Sequence, residues 1–215
     1  MAGKVIDNIR ASYDALAAEY ARRLFDELRH KPFDRDLLDR FARQVSERGP
    51  VCDLGCGPGQ VARHLKDAGT PVFGLDLSPK MVEVARSLSP DIDFREGDML
   101  ALDLASQSLG GIVAFYAIVN LPEALLPTAF REMARVLRPD GVLLLSFHAG
   151  ADVIAVEELW GQPIAMEFRY FDPARIGALL AAEGFAVEEI LERDPYPEVE
   201  YQSRRTYLLA GKPAA

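Results

Sequence analysis

A chain of 215 residues, 49% apolar and 27% charged, has the composition of an ordinary globular protein and the length of one domain with some decoration. Its 33 acidic against 24 basic residues give a formal charge of −9, the wrong sign for a protein that neutralises duplex phosphates with a basic face. The first ten residues carry Lys4, Asp7 and Arg10 without an apolar run and do not read as a signal peptide, and no apolar stretch approaches a membrane span. Cys52 and Cys56, four apart, make neither a disulfide framework nor a metal site. The expectation is a cytoplasmic protein without metal, nucleic-acid partner or membrane partner, and with no oligomeric state implied.

In chain order, residues 11–28 place Tyr13, Leu16, Ala17, Tyr20, Leu24 and Leu28 at helical spacing, and Lys31-Pro32 interrupts the pattern. Asp34 is expected to cap a second helix to about residue 46, ended by Gly49-Pro50. Short apolar runs then alternate with helical segments. Strands are expected at 51–54, 72–75, 92–95, 111–115 and 142–147, and helices at 60–68, 79–87 and 122–137. Such alternation reads as a doubly wound parallel sheet. Asp172-Pro173 opens a last helix, ended by Gly184, and strands at 185–191 and 206–210 follow with no helix between them. They are expected to close the sheet as antiparallel neighbours, making seven strands.

The segment with the most chemistry is the apolar strand 51–54 running into Gly55, Gly57 and Gly59, with Cys56 between and a helix after. Glycine permits positive φ and lets a ligand approach bare backbone. Asp76 ends the next strand, where a carboxylate can accept hydrogen bonds from two ribose hydroxyls. The spacing is G-x-G-x-G, whereas the dinucleotide fingerprint G-x-G-x-x-G would put Gln60 at its third glycine. Asp53 in the approach to the turn suits an ammonium group and suits a pyrophosphate poorly. Asp98, in the run Glu96-Gly97-Asp98-Met99 after the third strand, places a carboxylate where an adenine amino group could bind. A nicotinamide-dependent oxidoreductase is therefore disfavoured.

With these four segments in register (the glycine turn, the Gly74–Arg86 stretch, the Arg95–Met99 turn, and the approach to the strand at 142–147), residues from about 51 to 147 resemble class I S-adenosylmethionine-dependent methyltransferases. The resemblance implies an α/β, Rossmann-like, doubly wound seven-stranded sheet of order 3-2-1-4-5-7-6 with its last strand antiparallel. It implies S-adenosyl-L-methionine as cofactor, with contacts at Asp53, Gly55, Gly57, Asp76, Leu77, Asp98 and Met99. Gly110-Gly111 stand where the family often has Phe-Asp. More narrowly, the whole chain resembles a group of small bacterial methyltransferases sharing the helix around Tyr13 and Tyr20, the turn around His30-Lys31-Pro32 and the tail from Glu167. In that group the position of Asn120 is frequently His.

Residues 1–215 are thus expected to form a single methyltransferase domain: a helical lid at 1–49, a cofactor-binding core at 50–148, and a substrate-side insert with closing strands at 149–215. Tyr13 and Tyr20, seven apart, share a helical face that either packs as core or covers the cofactor. Cys56 is expected to pack in the turn and touch the cofactor through its backbone. His148, directly after the strand at 142–147, is the favoured general base, with Tyr116, Asn120 and Glu200 as further candidates for base or positioning roles. His30-Lys31 is a candidate for the cofactor carboxylate, Arg169 and Arg204-Arg205 are available to an anionic group on a ligand, and residues 160–170 are expected to wall the acceptor pocket. The expected reaction is in-line methyl transfer to a small-molecule acceptor. A non-catalytic cofactor-binding or regulatory protein is the alternative.

Overall fold

In the computed structural model, which describes residues 2–214, helix α1 (Ala2–Leu24) begins nine residues before the Tyr13/Tyr20 stripe suggested. Ile6 and Ile9 extend that stripe by two turns and are buried with Leu16 and Ala17. Arg22 and Arg23 occupy its last turn, where cations complement the helix dipole. A 3-10 turn (Glu27–His30) leads into α2 (Pro32–Val45), which starts with Pro32 in its first turn rather than behind an Asp34 cap. Asp34 instead lies on the buried stripe of α2 with Leu37, Leu38 and Phe41.

The parallel strands follow as expected. They are β1 (Val51–Leu54), β2 (Val72–Asp76), β3 (Asp93–Glu96), β4 (Leu109–Phe115) and β5 (Leu137–His148). Helices α3 (Gln60–Asp67), α4 (Pro79–Leu88) and α5 (Leu126–Val136) connect them, α5 after a 3-10 turn at Glu123–Leu125. The caps are local chemistry. Ser78 Oγ accepts from the Met81 N–H at 3.1 Å ahead of Pro79 in α4. Asp172 does the same for Arg175 N at 2.8 Å, opening α6 (Pro173–Ala182). Gly110 explains the departure at the start of the fourth strand. Its N–H donates to Pro50 O at 2.9 Å, and a Cβ there would lie 2.4 Å from the Arg48 carbonyl, so only glycine fits this approach.

Between β5 and α6 the chain forms a separate antiparallel hairpin, β6 (Val153–Leu159) and β7 (Gln162–Arg169), where the sequence suggested only an insert at 160–170. It packs on α1 through Leu16, Ile164 and Met166, and Ala165 N donates to Ser12 Oγ at 3.0 Å. Finally β8 (Ala186–Arg193) and β9 (Arg205–Gly211) join the main sheet, whose order is β3-β2-β1-β4-β5-β9-β8. With the hairpin set aside this is the expected 3-2-1-4-5-7-6, β9 being antiparallel to both neighbours. Two apolar layers cover the sheet. One holds Leu54, Ile112, Phe130 and Leu145 with α5 and α6, and the other holds Val51, Val113 and Leu144 with α2 and α3. No described helix is long and apolar enough to cross a membrane.

Candidate active site

The turn after β1 is pinned to the end of β2, with Gly55 and Cys56 N–H groups both donating to Leu75 O at 2.8 and 3.0 Å. Gly55 takes φ +72°, and a Cβ there would stand 2.6 Å from Ala117 Cβ, so the turn passes the segment after β4 with bare backbone. Asp76, the last residue of β2, is buried and accepts from Gly57 N at 2.8 Å and Ser78 N at 2.9 Å. Burial pushes its carboxyl up to about 6, against these two donors. Asp98 accepts from Leu100 N at 2.9 Å and holds the turn after β3.

Gly55, Gly57, Asp76, Leu77, Asp98 and Met99 line one cavity, and α1 covers it with Ile6, Ile9, Tyr13 and Tyr20. Phe115, Tyr116, Ala117 and Asn120 form the wall that follows β4. The cavity has a volume of about 80 Å³. The walls are therefore drawn in. Tyr13 Oη donates to Asn120 Oδ1 at 2.7 Å, and Asn120 Nδ2 donates to Glu167 O on β7 at 2.9 Å, so one side chain ties α1, the core and the hairpin together. Tyr20 packs edge-on to both Tyr13 and Trp160, with ring centroids 6.0 and 5.8 Å apart. Asp14 Oδ1 receives Ser78 Oγ at 2.6 Å and Lys80 N at 3.1 Å, fastening α1 to the start of α4.

Asp53, Cys56, His148 and Glu200 stand outside this lining. Asp53, 1% exposed, accepts from Ala62 N at 2.9 Å inside the first turn of α3. Strand alternation puts it on the α3 face of β1, and burial pushes its carboxyl up to about 7. Cys56 is a buried free thiol that burial pushes up, which leaves it unreactive. His148 lies behind Tyr116, ring centroids 5.1 Å apart, with Nδ1 2.8 Å from Ser203 Oγ and against the Arg205 guanidinium. Burial and Arg205 hold its imidazole down to about 3, so it is neutral and a weak base. Glu200 is the centre of a buried ion cluster. It accepts from Arg193 and from Tyr196 N at 2.8 Å, and lies 3.2 Å from Lys31 Nζ and 3.4 Å from Arg205 Nε. Burial pushes Glu200 upward, but these donors and cations hold it down to about 2, ionised and unsuited to take up a proton.

The same cluster contains residues that sequence reasoning did not single out for chemistry. Arg193 Nη2 donates to Asp34 Oδ2 at 2.7 Å, and Tyr207 Oη donates to Asp34 Oδ1 at 2.7 Å. A carboxylate on the apolar stripe of α2 was the available signal, because acids are almost never buried without partners. Lys31 pairs with Glu27 at 2.6 Å as well as with Glu200, and Arg169 pairs with Glu167, so neither is open to a ligand anion.

A nucleoside cofactor of the expected kind fits the lining: bare glycine backbone, a carboxyl at the end of β2, and Leu77, Met81 and Met99 as apolar surfaces for a planar base. Residues 51–141 match the family described as a methyltransferase domain. The malonyl-[acyl-carrier protein] O-methyltransferase of Enterobacter lignolyticus is 30% identical over 148 residues, 68% of this chain and 58% of that protein. The trans-aconitate 2-methyltransferase of Rhizobium meliloti is 34% identical over 141 residues, 63% of this chain and 51% of that one. The chain thus spans somewhat more than half the length of these curated relatives. Among solved structures, the 1,6-didemethyltoxoflavin-N1-methyltransferase of Burkholderia thailandensis, with its namesake substrate and S-adenosylhomocysteine bound, superposes with a TM-score of 0.77 at 17% identity, covering 99% of this chain and 91% of that one. Matched core, strand order and glycine turn agree: residues 51–141 carry a methyltransferase domain, in a chain whose fold is that of the class I, S-adenosylmethionine-dependent methyltransferases.

Proposed function

We propose that this protein transfers the methyl group of S-adenosylmethionine to a small-molecule acceptor. The observation that carries the reading is one cavity lined at once by the glycine turn, Asp76, Asp98 and Met99, by the lid tyrosines, and by Tyr116 and Asn120. When bound, the cofactor supplies a methyl already activated by its sulfonium, so the protein's task is alignment and exclusion of water.

Each residue has a part in that task. Gly55 and Gly57 give the methionine portion backbone to lie against, and Asp76 takes the ribose hydroxyls. Asp98 and Met99 hold the adenine, with Leu77 beside them. Tyr13 and Tyr20 close α1 over the site, and Asn120 holds the closed position through its bonds to Tyr13 and Glu167. Asp53 supports the turn from behind by holding the start of α3. On this reading residues 1–49 act as lid, 50–148 as cofactor core and 149–215 as acceptor-side insert and closing strands. Among the relatives' names, trans-aconitate is a small molecule and malonyl a small acyl group borne on a carrier protein, so a small acceptor is the natural class.

Titration calorimetry with S-adenosylhomocysteine should show one site per chain, and NAD should bind at least a hundredfold more weakly. Equal affinity for the two would sink the reading.

A further inference from the structure

Among the described residues, no Lys, Arg or His lines the cavity, and its charged lining groups are the carboxyls of Asp76 and Asp98. The cations behind Tyr116 are already engaged: Lys31 with Glu27 and Glu200, Arg193 with Asp34 and Glu200, and Arg205 with Glu200 and Tyr201 O. A carboxylate or phosphate brought against this wall would lose its hydration and meet no counter-charge. The wall instead offers the aromatic residues Tyr13, Tyr20 and Tyr116, the last of which carries a hydroxyl engaged outside the cavity lining.

That hydroxyl belongs to a directed chain. Tyr207 Oη uses its single proton on Asp34 Oδ1 at 2.7 Å and accepts from Arg193 Nε at 3.0 Å. The 3.4 Å contact between Tyr116 Oη and Tyr207 Oη can then run only with Tyr116 as donor. Tyr116, itself part of the cavity lining, is left with a lone pair that can accept a proton. The backbone holds it there at φ +54°, a conformation rare for a bulky residue and typical of functional positions, with Tyr116 N bonded to Ser146 O at 3.0 Å. The titratable and charged groups facing Asp34 are Tyr207, Arg193, Lys31 and Tyr116, and burial holds its carboxyl above the ordinary value.

We propose that the acceptor is an uncharged planar molecule with an ionisable O–H or N–H, a phenol, enol or heteroaromatic amine, whose proton leaves through Tyr116 and Tyr207 to Asp34. The proposal rests on the methyl-transfer reading. The acceptor atom bonds to the methyl carbon as the carbon–sulfur bond breaks, its electron pair remaining on sulfur. The acceptor's proton passes to Tyr116 Oη, the Tyr116 proton to Tyr207 Oη, and the Tyr207 proton to Asp34 Oδ1. Arg193 keeps its pairing with Glu200 once Asp34 is neutral. The Tyr116–Tyr207 contact must shorten for this, as catalytic hydrogen bonds commonly do when substrate binds. A carboxylate acceptor has no proton to lose and needs no such route. Tyr116 is the catalytic residue here, and Tyr207 and Asp34 act through it.

The test offers methyl-labelled S-adenosylmethionine and two panels to the full chain: 1-naphthol, catechol and 8-hydroxyquinoline against 1-naphthoate, benzoate and succinate. Label should enter the first panel only. Transfer to the carboxylates, or to neither panel while S-adenosylhomocysteine still binds, overturns the acceptor class and leaves the methyltransferase reading standing. Loss of S-adenosylhomocysteine binding would overturn that reading instead. With a turned-over acceptor, Tyr116→Phe should lower kcat at least tenfold at pH 7 with KM for the cofactor within threefold. The deficit should shrink below threefold as pH passes the acceptor's own pKa, because the acceptor then arrives deprotonated. Asp34→Asn should reproduce this pattern, and Tyr207→Phe replaces it if that variant does not fold. A deficit that stays constant with pH marks a structural role and overturns the relay.

Discussion

Asp53, one residue before the end of β1, and Asp76, the last of β2, lie on neighbouring strands, and burial raises both carboxyls, yet only Asp76 lines the cavity. Asp76→Ala should weaken S-adenosylhomocysteine binding by about 1–3 kcal/mol, the range for charge-assisted hydrogen bonds, as read by calorimetry. Since Asp76 is pushed up to about 6, binding should tighten as pH rises through 6, with proton release that varies with the buffer's ionisation heat and is lost in Asp76→Asn. Asp53 speaks to stability. Its carboxyl, at about 7 in the fold, lies above the ordinary carboxylate value, so its stabilising contribution is complete below about pH 4 and is lost as pH rises through 7. The loss is on the order of 4 kcal/mol, since each of the three pH steps between the unfolded and folded values contributes about 1.4 kcal/mol. The melting temperature of the unliganded protein should therefore fall from pH 5 to pH 8, and Asp53→Asn, which keeps an acceptor for Ala62 N, should flatten that slope. The glycine turn and Asp76 were legible in the sequence because their geometry is local. The roles of Asp53 and His148 depend on which face of a strand each occupies. Alternation sets His148 on the face of Val142 and Leu144, and its pairing with Arg205 in β9 brings in a cation 57 residues away.

Helix α1 and the β6–β7 hairpin meet through Leu16, Ile164 and Met166, through Ser12 and Ala165, and through Tyr20 and Trp160. Asn120 bonds to both, so the two elements should open together to admit the cofactor. Hydrogen exchange should slow across residues 5–24 and 153–169 in parallel when S-adenosylhomocysteine binds, and Asn120→Ala should raise exchange in both segments of the free protein. Protection of one segment without the other would show that they move separately. The alternating strands and helices were readable from periodicity alone, since each apolar run is bounded by Gly, Pro or a capping residue. The hairpin was not, because its strands carry the exposed residues Val153 and Ile154 and bury little besides Ile164 and Met166. A one-faced ribbon whose apolar side rests on a single helix leaves a weak pattern.

At the scale of the molecule, the ion cluster joins the segment after α1 to the loop between β8 and β9, with Asp34 and Arg193 separated by 159 positions. Pairings across that distance leave no mark in local spacing, which is why the core's cofactor end could be read and this end could not. Arg193, with a side chain 9% exposed, satisfies both Asp34 and Glu200, so Arg193→Ala leaves two buried carboxylates short of a partner. It should destabilise the protein by about 3–5 kcal/mol in urea unfolding. The placement of β9 sets the order in which the chain can fold. β9 follows β8 in sequence but lies between it and β5, pairing Val142 with Gly211 on one side and Ala186 with Gly211 on the other. A growing chain completes β5 and β8 before the strand that joins them exists, and the apolar run 142–147 waits with one edge bare. β9 should therefore dock after the rest of the sheet is in place. In chevron kinetics, Leu208→Ala should quicken unfolding while scarcely changing the refolding rate, the mark of contacts absent from the transition state.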